Sequence, residues 1–282
     1  MAKLIQYSTK ASLYDGAFDS TIGWSAAGMG YLIVTDNQHL IAIDGGFDED
    51  ALPFLSLMRS ATGKDMPTVD LWIITHPHGD HYFALRQAAS DTSLRSQIAV
   101  KEIVCRFPKD YRDAAGNSCL GDISAIERAA SNFGATPHVP KTGEQISIDG
   151  LDVHFLYTPE ELDGIRNANQ LSLIFSIMGK SKRAIFTGDA FHKSLNAVTE
   201  RYRDRLCADI LQIPHHGLCD TGHMEFYKQV DAKVVLIPTS IAGDRSMHSD
   251  MYDLESRRAN LFAEENAEKV YKAFEGNTEI EI

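Results

Sequence analysis

The stretch LWIITHPHGDHYF, Leu71–Phe83, concentrates three histidines and one aspartate within six residues, directly after an apolar run. The apolar run is typical of a buried strand, and Pro77 and Gly79 predict a turn at its end. Imidazole and carboxylate groups that converge at a strand end are suited to Zn, Mn, Fe or Ni. A solvated, histidine-rich loop is the alternative, but open α/β sheets bind ligands at the carboxyl ends of their strands. We therefore expect a metal site built from His76, His78, Asp80 and His81.

Two further strand ends carry ligand-type residues. In AIFTGDAF, Asp189 follows a short strand and Gly188, where a carboxylate can approach a metal closely and bridge two ions. Taken alone, this pattern is also typical of an ordinary turn. In DILQIPHHGLCD, His215 and His216 end another apolar strand, and a small buried thiol is the commoner role for the following Cys219. Three separate strand ends that supply such residues favour one shared site.

The rest of the chain mixes hairpin signals with strand–helix units. YLIV and LIAI around TDNQ predict one hairpin, and EQISI and LDVHFLY around Asp149–Gly150 predict another. Helices are predicted at DEDALPFLSLMRSATG, at HYFALRQAAS, at ISAIERAASNFG and over most of Ser249–Phe274, and TEIEI predicts a last strand. This mixture indicates an α/β fold with helices on the outer faces of its sheets. Because no linker-like segment interrupts it, we expect a single domain over residues 1–282.

Composition narrows the class of partner. The net charge of −12 over 282 residues repels phosphate backbones, so a small-molecule substrate is favoured over nucleic acid. The four cysteines form no CxxC pair, and the start of the chain lacks the apolar segment of a signal peptide. No apolar run approaches the roughly 18 residues of a membrane span. We therefore expect a soluble, cytoplasmic protein with no membrane partner, and composition leaves its oligomeric state open.

THPHGDH resembles the HxHxDH signature of the metallo-β-lactamase superfamily. IDGG (Ile43–Gly46), FTGD and PHHG resemble companion motifs of that superfamily, in the expected order. The resemblance implies a four-layer αβ/βα sandwich with a metal site at the edge that two sheets share. It also implies hydrolysis by a metal-bound hydroxide and a cofactor of two divalent metal ions, with Zn expected and Mn or Fe as alternatives.

Matched motif by motif, the resemblance implies individual roles. Asp80 and Asp189 would orient the nucleophile, and Asp44 would be a buried acid that supports the site without binding metal. His215 would be a catalytic residue that acts on the substrate, or would support the ligands. The implied metal ligands are His76 and His78 for the first ion, Asp80 and His81 for the second, Asp189 between both, and His216, preferred to His215, to complete the second.

Two departures from the superfamily pattern affect the expected site. Many members supply a further histidine to the first metal, whereas YTPEELDGIRNANQLSLIF contains none. NQLSL, Asn169–Leu173, resembles a motif of the subgroup that includes the hydrolase-like domain of competence-type DNA-uptake proteins. It implies Asn169, in preference to Asn167, as a weak oxygen ligand of a first site that is weak or empty. Tyr82 and Phe83 follow the signature where glycine is usual, so we also expect a narrowed site.

These observations favour a metal-dependent hydrolase for a phosphodiester or another ester-type substrate. One alternative is a nuclease for single-stranded nucleic acid, and another is a non-catalytic metal-binding scaffold that has lost the missing histidine. A β-lactam hydrolase is a further alternative that no residue pattern selects. Of the remaining histidines, structural roles are expected for His39, His138 and His154, and weaker candidates for the surroundings of the site are His192, His223 and His248.

Overall fold

The computed structural model describes residues 1–18, 27–160, 165, 167–218, 224–249 and 254–282, with the backbone alone for 254–257. The strands in these residues are β1 (Lys3–Gln6), β2 (Gly30–Val34), β3 (Leu40–Asp44), β4 (Thr68–Ile73), β5 (Ala99–Val104), β6 (Thr136–His138), β7 (Gln145–Ile148), β8 (Leu151–Tyr157), β9 (Ile174–Met178), β10 (Arg183–Phe186), β11 (Ile210–Gln212), β12 (Val234–Ile237), β13 (Lys269–Lys272) and β14 (Thr278–Glu281). The α-helices are α1 (Ala51–Thr62), α2 (Gly79–Ser90), α3 (Thr92–Arg95), α4 (Leu120–Phe133), α5 (His192–Tyr202), α6 (Met224–Val230), α7 (Ile241–Met247) and α8 (Leu254–Asn266).

The described strands form two mixed sheets of seven strands each. The first has the order β14-β1-β2-β3-β4-β5-β6, and the second has the order β13-β12-β11-β10-β9-β8-β7. Strands β3 to β6 are parallel in the first sheet, and strands β10 to β13 are parallel in the second. The other pairings are antiparallel. Each sheet is therefore antiparallel at one side and parallel at the other.

Three apolar layers hold the sheets and helices together. Between the two sheets, Tyr31, Phe155 and Phe175 belong to one buried cluster, and burial of each such ring contributes about 1.5–3 kcal/mol. Phe54 of α1 packs with the outer face of the first sheet, and Leu195 of α5 packs with the outer face of the second. This arrangement confirms the expected four-layer αβ/βα sandwich of two sheets covered by helices.

Local turn chemistry confirms most of the predicted elements. Strands β2 and β3 form the first hairpin, and β7 and β8 form the second. Asp149 and Gly150 connect β7 to β8 with positive φ angles of 47° and 82°, as a tight two-residue turn requires. Helices α1 and α4 each end at a glycine in the left-handed conformation, Gly63 and Gly134, because glycine adopts it without steric cost.

The prediction for Ser249–Phe274 is wrong in its last part. Helix α8 ends at Asn266, and β13 then pairs in parallel with β12 at the edge of the second sheet. Strands β1 and β6 also had no counterpart in the prediction. All three are short strands whose identity depends on a neighbour distant in sequence, which local patterns do not show.

The loops that follow β3, β4, β10 and β11 meet at one edge of the sandwich. Leu173 donates its backbone N–H to the carbonyl of Thr75, and His215 donates its own to the carbonyl of Gly188. These bonds join the loop after β4 to the segment before β9, and the loop after β10 to the loop after β11.

Among the described residues, no helix is both long and apolar enough to cross a membrane.

Candidate metal centre

Strand β4 and helix α2 deliver the histidine cluster. The chain leaves β4 at Ile73, turns through Pro77, and starts α2 at Gly79. The turn is therefore shorter than predicted, since Asp80 and His81 already lie in the first helical turn. A Cβ at position 79 would come within 2.5 Å of the Phe83 ring, so glycine permits this close start.

The expected narrowing of the site by Tyr82 and Phe83 is wrong for Tyr82. Its ring is buried in the layer between the first sheet and its helices, and its hydroxyl donates to Asp122 at 2.6 Å. Phe83 packs against Tyr82 and under the guanidinium of Arg86, 3.4 Å from its ring centroid. Because successive helical residues are rotated by about 100°, the residue after His81 turns away from the cluster.

Asp44, at the end of β3, organises the base of the site. Its carboxylate accepts hydrogen bonds from the backbone N–H and the hydroxyl of Thr75, both at 2.8 Å. It also lies 2.7 Å from His81 Nδ1. The side chains of Asp44 and His81 are fully buried. A His81 ring that donates through Nδ1 presents the Nε2 lone pair to the cluster, which is the arrangement typical of metal-binding histidines.

Asp189 is placed by the loop after β10. Its backbone N–H donates to the hydroxyl of Ser172 at 3.0 Å. The carboxamide of Gln212 accepts the backbone N–H groups of Thr187 and Gly188 at 2.8 and 2.9 Å. Gly188 has φ +53°, and a Cβ there would lie 2.8 Å from Thr75 Cβ. The strand end that carries Asp189 therefore approaches the loop after β4 as closely as only glycine allows.

His215 and His216 adopt the left-handed conformation, with φ angles of 49° and 56°. Such angles cost about 1–3 kcal/mol per residue and persist where the surroundings enforce them. His216 Nδ1 lies 2.7 Å from the carbonyl of Pro238, and its Nε2 lies 3.1 Å from Asp80 Oδ2. His215 Nε2 instead lies 3.0 Å from Asn169 Nδ2. The two neighbouring rings thus have different partners.

The candidate ligands fall into two groups that share Asp189. One group consists of Asp80, His81, Asp189 and His216, and the other consists of His76, His78 and Asp189. Within each group, one ligand atom per residue lies within 4.8 Å of the others. Asp189 Oδ1 lies 3.3 Å from His81 Nε2, and Asp189 Oδ2 lies 3.5 Å from His76 Nε2. A single carboxylate therefore faces both groups.

The donor atoms of this cluster fit a cation. Three buried atoms have no partner in hydrogen-bonding geometry among the residues that the structure describes, namely His76 Nε2, His81 Nε2 and Asp189 Oδ1. Leaving such atoms unpaired is costly, and imidazole nitrogen and carboxylate oxygen are the atoms that Zn, Mn and Fe coordinate. Two divalent cations at the two groups would satisfy all three atoms.

Charge balance in the cluster also favours a cation. Burial opposes ionisation of Asp189, but the surrounding histidines, His81 first, hold its pKa well below the usual range. Burial likewise opposes protonation of His81, but Asp189, Asp44 and Asp80 raise its pKa well above that of free histidine. Burial lowers the pKa of His76. The cluster is thus a buried concentration of carboxylates among imidazoles.

The remaining histidines lie elsewhere or outside the described residues. His39 lies 3.1 Å from Asp70, His154 packs against Tyr202, and His138 lies between two glutamates. His192 is the first residue of α5, and His248 lies 3.5 Å from Glu264. His223 and Cys219 fall outside the described residues.

Several supporting residues were not among the predicted site residues. Ser172 and Gln212 hold the Asp189 loop, and Thr75 links Asp44 to the cluster. Gln212 gave a signal in the sequence, since a polar side chain inside the apolar run DILQIP needs a buried partner. No sequence pattern indicated the contact of the Pro238 carbonyl with His216, because it joins loops that are distant in the sequence.

Comparison with known proteins agrees with the fold. A family model described as "Metallo-beta-lactamase superfamily" matches residues 27–160. ComE operon protein 3 of Bacillus subtilis (strain 168) is 25% identical over 186 residues, which cover 66% of this chain and 21% of that protein. This chain thus spans about a fifth of the length of that relative.

Two solved structures cover almost the whole chain. The metallo-beta-lactamase fold protein YhfI from Bacillus subtilis superposes with a TM-score of 0.56 at 15% identity, over 99% of this chain and 100% of that one. Zn(2+)-bound PqqB from Methylobacterium extorquens superposes with a TM-score of 0.57 at 11% identity, over 100% of both chains. At these identities the likeness shows the fold. The family match ends before Asp189 and His216, and the structure places both residues in the cluster.

Proposed function

Residues 27–160 belong to the metallo-beta-lactamase superfamily, and from that premise we propose that the protein is a metal-dependent hydrolase for a phosphodiester or another ester-type bond. The observation that carries the proposal is the pair of ligand groups joined by the buried Asp189 carboxylate. The superfamily consists largely of metal-dependent hydrolases, and the cluster supplies the donor atoms that such chemistry needs.

Two divalent cations would be held by the two groups that share Asp189. When bound, such ions lower the pKa of water towards 7 and polarise the bond that is cleaved. The imidazole-rich donor set favours Zn, with Mn or Fe as alternatives. The Zn(2+)-bound state of PqqB supports Zn as the first ion to test.

The exposure of the cluster defines the side from which a substrate approaches. His76, His81, Asp189 and His216 are buried, whereas the side chains of Asp80 and His215 are 13% and 16% exposed. Asp80 Oδ2 lies 3.6 Å from His81 Nε2, so the carboxylate borders both the ligands and solvent. Although burial would raise the pKa of Asp80, His81 and His216 hold it below the usual value. Asp80 is thus an ionised acceptor that can orient an attacking water.

A cavity supports a small-molecule substrate. It has a volume of about 520 Å³ and lies beyond the carboxyl ends of β5 and β6, in the same sheet whose β4 delivers His76. Its lining includes apolar residues such as Phe107 and Ile126, two basic residues and three acidic ones, namely Arg106, Lys109, Asp110, Glu127 and Glu160. The candidate metal ligands are not among its lining residues. The volume is typical of small-molecule sites, and the apolar residues suit an apolar group of a substrate.

The direct test is hydrolysis by protein purified without an affinity tag and loaded with Zn²⁺ or Mn²⁺. The substrates are bis(p-nitrophenyl) phosphate, p-nitrophenyl butyrate, a chromogenic β-lactam and single-stranded DNA. We expect turnover of the phosphodiester or the ester, and a loss of at least about 100-fold in Asp189→Asn, because displacing reacting groups by 1 Å has that effect.

Asp152→Asn is the matched control, since Asp152 is an exposed residue of β8 whose carboxylate accepts a hydrogen bond from the Ser147 hydroxyl. It should keep full activity. Cleavage of single-stranded DNA alone, falling steeply with salt, would replace the proposal with a nuclease. Metal binding without turnover of any substrate would replace it with a scaffold.

A further inference from the structure

The hydroxyl of Thr75 lies within hydrogen-bonding distance of Asp44 and of one histidine from each ligand group. Thr75 Oγ1 lies 2.8 Å from Asp44 Oδ2 and 3.2 Å from His76 Nδ1. It also lies 3.3 Å from His81 Nδ1, which is nearer to Asp44 Oδ2, at 2.7 Å. All four residues are fully buried, so bulk solvent does not compete for these contacts.

The donors and acceptors of these groups fix the direction of the hydrogen bonds. A hydroxyl has one proton to donate, and a carboxylate only accepts, so the Thr75 proton points to Asp44 Oδ2. His76 Nδ1 then faces a lone pair of the Thr75 oxygen, and it can bond there only when the ring proton lies on Nδ1. His81 Nδ1 donates to Asp44, the nearer of its two acceptors. The hydrogen bonds therefore run in one direction, from His76 through Thr75 to Asp44.

This direction decides which ring nitrogens face the metal centre. With their protons on Nδ1, both rings present the lone pair of Nε2 to the shared carboxylate. His76 Nε2 lies 3.5 Å from Asp189 Oδ2, and His81 Nε2 lies 3.3 Å from Asp189 Oδ1. His76 belongs to the group with three members and His81 to the group with four. One donor of each group thus depends on the same carboxylate of Asp44.

We infer that the Thr75 hydroxyl is a positioning group that extends the hold of Asp44 to His76, so that one buried carboxylate orients a ligand of each cation. The inference deepens the metal centre of the proposed function and rests on it. A metal-binding histidine is oriented by the partner of its other ring nitrogen. His81 contacts Asp44 directly, and His76 reaches it through Thr75.

The backbone and the packing of Thr75 hold it in place apart from its hydroxyl. Its N–H donates to Asp44 Oδ1 at 2.8 Å, and its carbonyl accepts the N–H of Leu173 at 3.0 Å. A Cβ at Gly188 would lie 2.8 Å from Thr75 Cβ and 3.0 Å from Thr75 Oγ1, so glycine at that position leaves room for the hydroxyl. Valine is branched at Cβ as threonine is. Thr75→Val therefore removes the hydroxyl and keeps the backbone contacts.

The first test is titration of the full chain with Zn²⁺, by competition with a chromophoric chelator. Wild type should bind one ion at each group, more tightly at the group with four donors. His78→Ala identifies the ion of the other group, because His78 belongs to that group only. Thr75→Val should raise the dissociation constant of that same ion about 10- to 100-fold, the range for loss of a partner behind a ligand. Thr75→Ser, which keeps a hydroxyl, should bind both ions as wild type does.

The tautomer of His76 is a second readout, which a purely structural role of Thr75 would not change. In the metal-free chain labelled with 15N, the chemical shifts of the ring nitrogens report which one carries the proton, and His76→Gln assigns the signals. Wild type and Thr75→Ser should show the proton on Nδ1. In Thr75→Val the Nδ1 atom loses its acceptor, so the proton should move to Nε2, which faces Asp189 Oδ2.

A double-mutant cycle tests whether Thr75 acts through Asp44. Asp44→Asn should weaken both ions. Adding Thr75→Val to it should cause no further loss at the ion of the His76 group, because the two residues act in one chain of hydrogen bonds. Losses that add in the double variant would overturn the inference.

Thr62→Val is the matched control. Thr62 is a buried threonine of α1 whose hydroxyl donates to the carbonyl of Met58 at 2.8 Å. Its replacement should lower the free energy of unfolding and leave both metal affinities and the His76 tautomer unchanged. Thr75→Ala also removes the hydroxyl and should reproduce the effect of Thr75→Val, and circular dichroism verifies that each variant is folded.

The outcomes separate this inference from the proposed function. Wild-type dissociation constants for both ions in Thr75→Val would overturn the inference and leave the hydrolase proposal intact. Equal losses at both ions, with the His76 proton still on Nδ1, would also overturn it, because Thr75 would then support the site as a whole. A wild-type chain that binds no Zn²⁺ would overturn both.

Discussion

Asp44 Oδ2 lies 2.7 Å from His81 Nδ1, and both side chains are fully shielded from solvent. The contact joins the end of β3 to the first turn of α2, and Thr75 adds two hydrogen bonds to the same carboxylate. Asp44 adopts φ +51° to reach this position. A strained aspartate that fixes the ring of a neighbouring histidine indicates a residue that supports ligands without being one.

We therefore predict that Asp44→Asn raises the dissociation constant of the more tightly bound metal ion about 10- to 100-fold. This is the range for loss of a partner behind a metal-binding histidine. The neutral amide no longer makes the His81 ring more basic, and it accepts fewer of the three hydrogen bonds. Chelator competition with Zn²⁺ measures the change.

Asp50→Asn provides a matched control for this prediction. Asp50 is also a buried aspartate with three hydrogen-bond donors, namely Lys10 N, Phe47 N and the Tyr7 hydroxyl. Its loss should lower the free energy of unfolding and leave metal affinity unchanged. Equal metal affinities in Asp44→Asn and wild type would contradict a supporting role for Asp44.

The sequence predicts the parts of this site that are local in the chain. His76, His78, Asp80 and His81 occupy one strand–turn–helix unit, so their convergence follows from spacing alone. Asp189 and His216 follow apolar strands. Because the carboxyl ends of parallel strands lie at one edge of a sheet, both residues are expected near the histidine cluster. The mixture of hairpins and strand–helix units predicts sheets covered by helices, whereas the arrangement of two sheets in a four-layer sandwich was implied by the resemblance to the metallo-β-lactamase superfamily.

The other parts depend on contacts between distant segments. The different partners of His215 and His216 depend on Pro238 and Asn169, which lie on other loops. The edge strand β13, with sequence KVYK, is stabilised by pairing with β12, and its own polar residues do not favour a strand. The side of α2 on which the Tyr82 side chain lies depends on the residue at which the helix starts, and the sequence alone does not fix that residue.

Gly188 permits a close approach between the loop after β10 and the loop after β4. Its φ is +53°, and a Cβ there would lie 2.8 Å from Thr75 Cβ. Gly63 has a similar φ of +66°, and no atom of the described part of the chain lies within 4 Å of such a Cβ. We expect Gly63→Ala to lower the free energy of unfolding by about 1–2 kcal/mol, the cost of the left-handed conformation. Gly188→Ala should lower the free energy of unfolding by the same amount and by about 1–3 kcal/mol more, because the added methyl group overpacks the contact with Thr75.

Urea unfolding of the metal-free proteins measures both changes. The metal affinity of Gly188→Ala should also fall, since relief of the clash moves Thr75 and with it Asp44. Gly63→Ala should bind metal as wild type does. Equal stabilities of the two variants would show that the loop after β10 accommodates the extra carbon without displacing Thr75.

Asp70 gives the fold a dependence on pH that is separate from the metal centre. Its carboxylate accepts the backbone N–H of Leu40 at 3.0 Å and pairs with Lys101 Nζ at 2.5 Å. Burial opposes ionisation, but Lys101 and the Leu40 N–H outweigh it and lower the pKa of Asp70. A carboxyl whose pKa is lower in the folded state stabilises the fold above its unfolded pKa, about 3.9, and loses this contribution as the pH falls through the folded value.

Wild type should therefore lose stability more steeply than Asp70→Asn as the pH falls below about 4. Urea unfolding of the metal-free chain at a series of pH values measures the slopes. Lys101→Met should reduce the extra slope, because it removes the first of the groups that lower the pKa. Identical slopes in wild type and Asp70→Asn below pH 4 would mean that the carboxyl titrates alike in the folded and unfolded chains.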